Sequence, residues 1–224
     1  MANLSRRRQS AISSRQGSDR EFFADSGQLT ADSLLAGREM ERRHALTEWR
    51  VLKKSIAFSC PWYEIAHERI RLPTDRVIDY YSITIPPSVM VVPVTADGRI
   101  VLLRQYRYPT RSWSYELPGG NTRGKSPLST GRQELFEETG YRAGRWTRLG
   151  CFHPYSGMSD EVCYVYLARD LTSGRQRLEE REFIQVITMP IREVFRRVVR
   201  NRIQDGMTLA SLLLAGSHLK GRSR

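Results

Sequence analysis

Residues 116–141 read ELPGGNTRGKSPLSTGRQELFEETGY, and the change of character along this stretch decides the fold. Its first half is a loop: Pro118, Gly119, Gly120 and Gly124 supply the fixed and permissive backbone of a tight turn. Ser126 and Pro127 then open a helix predicted to run to Thr139, with Pro127 tolerated in the first turn and Gly140 ending it. The end of that helix carries Glu134, Glu137 and Glu138. Helical spacing sets Glu134 and Glu138 one turn apart on one face, with Glu137 beside them. Like charges so placed cost a helix roughly 0.2–0.5 kcal/mol per pair, and a cation reverses the sign. Hard divalent ions take few carboxylate oxygens from protein and leave the rest for water and substrate phosphate. Acids at this spacing are more often a solvated helix face. The order of glycine turn, spacer and acids strengthens the metal-assisted phosphate reading beside that alternative.

Working outward, strands are predicted at 49–58, 62–72 and 77–85, spaced as a meander. After Pro86 and Pro87, residues 89–94 are wholly apolar, as in a buried strand, and Pro93 predicts a bulge or an unpaired edge near its end. Ala96-Asp97-Gly98 reads as a hairpin turn returning the chain as RIVLLRQYR, residues 99–107. The apolar half of that strand is core, and its polar end holds Arg104, Gln105, Tyr106 and Arg107. A strand at 112–117 delivers the chain to the glycine loop. Beyond the helix, strands are expected at 146–152, 161–168 and 183–188. A helix at 191–201 shares Val194, Phe195 and Val198 on one face, and another at 207–215 turns Leu209, Leu212 and Leu213 inward. Strands interleaved with a few helices make an α+β (mixed α/β) chain.

The chain has 224 residues, 40% hydrophobic and 27% charged, with net charge +12. That length suits one domain with an extension. The surplus charge attracts nucleotide phosphates, nucleic acid or acidic membranes, although much of it sits at the ends, in Arg6, Arg7, Arg8, Arg15, Arg20, Lys220, Arg222 and Arg224. The division expected is a basic, largely disordered extension at 1–45 with a short helix between Thr30 and His44, a β-subdomain at 46–88, the main domain at 89–217 and a basic tail at 218–224. Cys60, Cys151 and Cys163 are odd in number and lack CxxC spacing, which points to a reducing, cytoplasmic setting. An Arg- and Ser-rich start leaves an organelle presequence open. No apolar run approaches the roughly 20 residues of a membrane span.

The order of glycine turn, spacer and ELFEETGY resembles the Nudix box of the Nudix hydrolases, G-x5-E-x7-R-E-U-x-E-E-x-G-U with U apolar. Glu134, Leu135, Glu137, Glu138, Gly140 and Tyr141 match it. Lys125 replaces the first Glu and Gln133 replaces the Arg, and five spacers counted back from Lys125 reach Gly119 instead of Gly120. In the family that lost pair supports the loop and helix; losing both members leaves no lone buried charge. QYRYP, ELPGG, SGMSDE, EREF and QDGMTLASLLLA follow in the order of the ADP-ribose pyrophosphatase branch.

The resemblance implies a mixed sheet between helices, a small N-terminal antiparallel sheet and a homodimer. It implies Mg²⁺ (or Mn²⁺) held by Glu134, Glu138 and the Gly119 carbonyl, with Glu137 as a further ligand or supporting acid. It makes Glu161 a catalytic carboxylate that closes on the site and orients or deprotonates water, and Arg107 the grip on the diphosphate. Trp49 would stack on adenine, Glu116 would brace the substrate or the sheet edge, and Arg104 is a further substrate contact. The implied reaction splits a nucleoside diphosphate sugar, foremost ADP-ribose into AMP and ribose 5-phosphate. An alternative is a nucleotide-binding module impaired by Lys125 and Gln133, which leaves the retained carboxylates without a purpose. A nucleic-acid protein is a third class, disfavoured because no helix-turn-helix, zinc finger or RNA-binding aromatic signature occurs.

Overall fold

A computed structural model of the chain describes residues 48–178 and 183–219, almost all in a unit that begins at Trp49. The expected N-terminal extension and helix, most of the EREF segment and the end of the basic tail lie outside the described residues.

The meander forms as the alternation predicts: β1 (Arg50–Ser59), β2 (Glu64–Arg71) and β3 (Val77–Thr84) make an antiparallel sheet in sequence order. Next come β4 (Ser88–Pro93), β5 (Arg99–Arg107), β6 (Ser112–Glu116) and β7 (Gly119–Asn121). They are followed by α1 (Pro127–Thr139), β8 (Tyr141–Phe152), β9 (Cys163–Ser173), β10 (Gln185–Pro190), α2 (Ile191–Val199) and α3 (Gly206–Leu219). Two further sheets result, β10-β5-β6 and β7-β4-β9-β8, the second mixed because β4 runs parallel to β9.

The apolar run of β4 is explained by burial on both faces. Met90 and Val92 join Ile100, Leu102, Val165, Val194 and Leu212 in one core, while Val91 meets Leu135 and Ala168 in another. Pro93 costs no ladder bond. Val91 N–H points to the Pro118 carbonyl on the β7 side and Val94 N–H to Ala168 on the β9 side. The donor Pro93 lacks therefore falls beyond the end of β7, the unpaired edge that the sequence predicts.

Four expectations need correction. The 96–98 turn does not make a β4–β5 ladder: only the single bridge Val94↔Ile100 joins them, because β4 already has β7 and β9 as neighbours. Part of the glycine loop is itself a strand, β7, with Gly120 opposite Val89. β8 and β9 are longer than expected, since cross-strand pairing from Tyr141↔Ser173 onward carries polar residues of weak intrinsic strand preference. Leu213 is not inward but 79% exposed; the buried stripe of α3 is Thr208, Ser211, Leu212, Ala215 and Leu219, one position away. Among the described residues, no helix is long and apolar enough to cross a membrane.

Candidate active site

Local chemistry fixes α1 at both ends. Ser126 Oγ accepts from Ser129 N–H at 3.2 Å with Pro127 in the first turn, and Gly140, at φ 77°, returns its N–H to the Phe136 carbonyl at 2.8 Å. The helix lays Leu135, fully buried, against Val91 and Ala168, a burial worth about 1.5–3 kcal/mol. That docking presents the glutamates to β7. Gly119 N–H donates to Glu138 Oε2 at 2.9 Å. A Cβ on Gly120 would stand 2.6 Å from Glu134 Oε1, so the strand can approach the carboxylate only as glycine.

Glu134, Glu137 and Glu138 line a cleft of about 460 Å³ together with Gly119, Arg107 and Lys125. Lys125 Nζ donates to Gln133 Oε1 at 2.8 Å, and Gln133 Nε2 donates to Glu137 at 3.1 and 3.2 Å. The two residues that depart from the family box therefore meet each other and hold Glu137. Beneath two other lining residues, buried Glu116 accepts from Gln105 Nε2 at 3.0 Å and from Arg107 Nε at 2.9 Å and Nη2. The Glu116 hydrogen bonds raise the Arg107 pKa above its ordinary value despite partial burial, so the guanidinium is charged at every working pH.

Other sequence-selected residues are not brought to this cleft. Arg104 alternates to the far face of β5, where its guanidinium lies 4.7 Å from the Trp113 ring centroid. Trp49 is 53% exposed and packs edge-on against Tyr80. Glu161 is buried and accepts from Ser88 Oγ at 2.6 Å. Ser88 is paired with Asn121 of the cleft wall on one side and Cys163 on the other, so Glu161 is held one strand from the cleft. The loop carrying it is docked on β3 by Tyr80 Oη to the Gly157 carbonyl, 2.6 Å, and Ile83 N–H to the Met158 carbonyl, 2.8 Å. Burial pushes the Cys163 thiol up to about 12, which keeps it protonated and removes it as a nucleophile.

Sequence reasoning gave no role to Gln105, Arg123 or Thr130, all of which line the cleft. Gln105 was legible: it shares a strand face with Arg107, two residues on. Thr130 Oγ1 is buried and finds no hydrogen-bond partner among the described residues, a polar atom suited to a ligand.

The donor set fits a hard cation: carboxylates facing a glycine cradle, with basic residues nearby for phosphate. Among the described residues, no three His, Cys, Asp or Glu side chains are gathered closely enough to hold a metal unaided. Such an ion would complete its shell with water and substrate phosphate, as Mg²⁺ ordinarily does.

Comparison with known proteins bears on the same elements. An ADP-ribose pyrophosphatase of Bacillus subtilis is 29% identical over 164 residues, 72% of this chain and 89% of that protein. One from Mycobacterium tuberculosis is 30% identical over 160 residues, 67% of this chain and 75% of that protein. The crystal structure of an ADP compounds hydrolase superposes with a TM-score of 0.72 at 20% identity, covering 81% of this chain and 99% of the other, and so shares the fold. The family model described as NUDIX domain matches residues 84–208, a span from the end of β3 into α3 that takes in every cleft residue named above, and the chain belongs to the Nudix hydrolases.

Proposed function

We propose that the chain hydrolyses the diphosphate bridge of a nucleoside diphosphate sugar in a Mg²⁺-dependent reaction, with ADP-ribose the favoured substrate and AMP and ribose 5-phosphate the products. The observation that carries this reading is one cleft that gathers three glutamates of α1 with Arg107, Arg123 and Lys125. The likeness to two ADP-ribose pyrophosphatases supports the choice of sugar nucleotide.

Glu134, Glu138 and the Gly119 carbonyl would hold Mg²⁺ (or Mn²⁺), with Glu137 as ligand or supporting acid. When bound, the ion supplies charge neutralisation at the diphosphate and a water of lowered pKa. Arg107 grips the diphosphate. Glu116 takes two of its five N–H groups, fixes the plane of the guanidinium and leaves the others for phosphate oxygens. Glu161, which Ser88 holds one strand from the cleft, would orient or deprotonate the attacking water once the loop that carries it closes on the bound diphosphate. Trp49 stacks on adenine; because it lies outside its own chain's cleft, it would act across a homodimer.

The test is turnover of ADP-ribose, ADP-glucose, GDP-mannose, NADH and a dinucleoside polyphosphate, with and without Mg²⁺, by wild type and Glu138→Gln. The variant keeps an acceptor for Gly119 N–H, so its melting temperature should hold. Its metal-dependent kcat/KM for ADP-ribose should fall by more than the roughly 10–100-fold that loss of an outer-shell partner costs. Binding without cleavage of any substrate would sink the proposal and favour the impaired nucleotide-binding module.

A further inference from the structure

On the other face of α1 lies a second depression, of about 520 Å³, lined by Phe136, Gly174, Arg175, Gln176 and Arg177. Two guanidinium groups stand over the Phe136 ring, Arg142 at 3.8 Å and Arg177 at 5.4 Å from its centroid. Arg142 comes from the start of β8, whereas Arg175 and Arg177 follow the end of β9. The β8–β9 ladder brings them together by pairing Arg142 with Thr172 and Tyr141 with Ser173. All three arginines are exposed, and among the described residues no ion pair engages any of them. Among the described residues these three like charges meet no acid, and they repel one another until an anion joins them. Guanidinium forks match phosphate oxygens in shape and charge. Gly174 keeps the floor open: a Cβ there would lie 3.4 Å from Phe136 Cε2 and 3.0 Å from the Gly140 carbonyl oxygen.

The depression is also tied to the catalytic helix. Arg177 N–H donates to the Glu137 carbonyl at 2.9 Å, and Gln176 Nε2 donates to the Glu138 carbonyl. A Cβ on Gly140 would stand 2.6 Å from the Gly174 carbonyl oxygen, so the two backbones touch. The segment that carries two of the arginines thus rests on the peptide groups of two cleft carboxylates.

We infer that this depression is a second anion site, which takes a phosphate group borne by a small molecule and is coupled through residues 174–177 to the turn carrying Glu137 and Glu138. The ligand is inorganic phosphate or a nucleoside monophosphate, since both present the same oxygens. The site stands whichever substrate the cleft hydrolyses.

The experiment follows backbone amides of the full ¹⁵N-labelled chain in EDTA while inorganic phosphate and AMP are added separately. Shifts should saturate at Phe136, Gly140, Gly174, Gln176 and Arg177, and Glu137 and Glu138 should follow the same isotherm. Arg107→Gln, which weakens the cleft, should leave that isotherm unchanged. Arg175→Gln, and Arg142→Gln with Arg175→Gln, should weaken binding at these amides by about tenfold or more. Saturation by phosphate identifies the free anion as sufficient; saturation by AMP alone makes it nucleotide-borne phosphate; either supports the site. No response at these amides to either probe overturns it, as do shifts that vanish in Arg107→Gln but survive in the double arginine variant. A response to a short oligoribonucleotide alone also overturns it, in favour of a polyanion surface.

Discussion

Lys125 and Gln133 show how a changed side chain can keep an old connection. The hydrogen-bonded run Lys125–Gln133–Glu137 ties loop to helix with one positive charge where the family box places an acid and an arginine. Lys125 and Gln133 are exposed, and at such a surface even an ion pair contributes only about 0–1 kcal/mol. Lys125→Glu combined with Gln133→Arg should therefore leave turnover within about threefold of wild type, a barrier change of roughly 0.65 kcal/mol. A rise of tenfold or more in kcat would show that the altered box limits the enzyme. Glu116 is a different case, because it is buried and organises both Gln105 and Arg107. Glu116→Gln should raise KM for the diphosphate substrate roughly tenfold, the loss of one charge-assisted contact, with a smaller change in kcat; steady-state kinetics separates the two. The identity of the cleft acids was legible in the sequence because helical spacing is rigid. The partners of Lys125 were not, since a flexible ammonium reaches loop, helix or ligand equally well. Strand alternation sets Arg104 and Arg107, three residues apart, on opposite faces of β5, and of the two Arg107 lines the cleft.

At the scale of elements, the two glycines of β7 do different work. A Cβ on Gly119 would fall 2.2 Å from the Val89 carbonyl oxygen, and that backbone is locked between β7 and β9. A Cβ on Gly120 would meet only the end of the Glu134 side chain, at 2.6 Å. Gly119→Ala should therefore lower stability by about 1–3 kcal/mol, the usual cost of overpacking a rigid site, in a denaturant melt. Gly120→Ala should melt near wild type yet lose hydrolysis, because Glu134 must swing away; equal stability losses in the two would refute the distinction. The helix ends were readable because Ser126-Pro127 and Gly140 are position-specific signals. The strand character of Gly119–Asn121 was hidden, since glycine has poor strand preference and its pairing is set by the long-range approach of β4. The mistaken β4–β5 hairpin has the same origin: a good local turn says nothing about which strands already flank β4.

For the whole molecule, the family order of motifs made the main fold legible, while the N-terminal sheet was legible as strands but not as a packed layer. Among the described residues β1 is an edge strand, every residue of which is exposed, with Val51, Ile56 and Phe58 at about half exposure. Trp62 is 60% exposed and Tyr81 59%. A sheet with apolar side chains in water and an open hydrogen-bonding edge is a liability in a monomer, and a second copy of the same sheet would answer both faults in a self-complementary contact. Ile56→Asp with Phe58→Asp should then convert a dimer into a monomer by size-exclusion chromatography with light scattering at micromolar protein, because a charge must be buried in any contact of the roughly 1,200–2,000 Å² that a stable pair needs. Ile56 and Phe58 are half-exposed and outside the buried core, so the monomeric form should still unfold cooperatively in a thermal melt. If the monomer also loses ADP-ribose affinity to the degree that Trp49→Ala does in the dimer, adenine is held by a residue of the second copy. A wild-type chain that elutes as a monomer would remove both the dimer and the adenine role of Trp49.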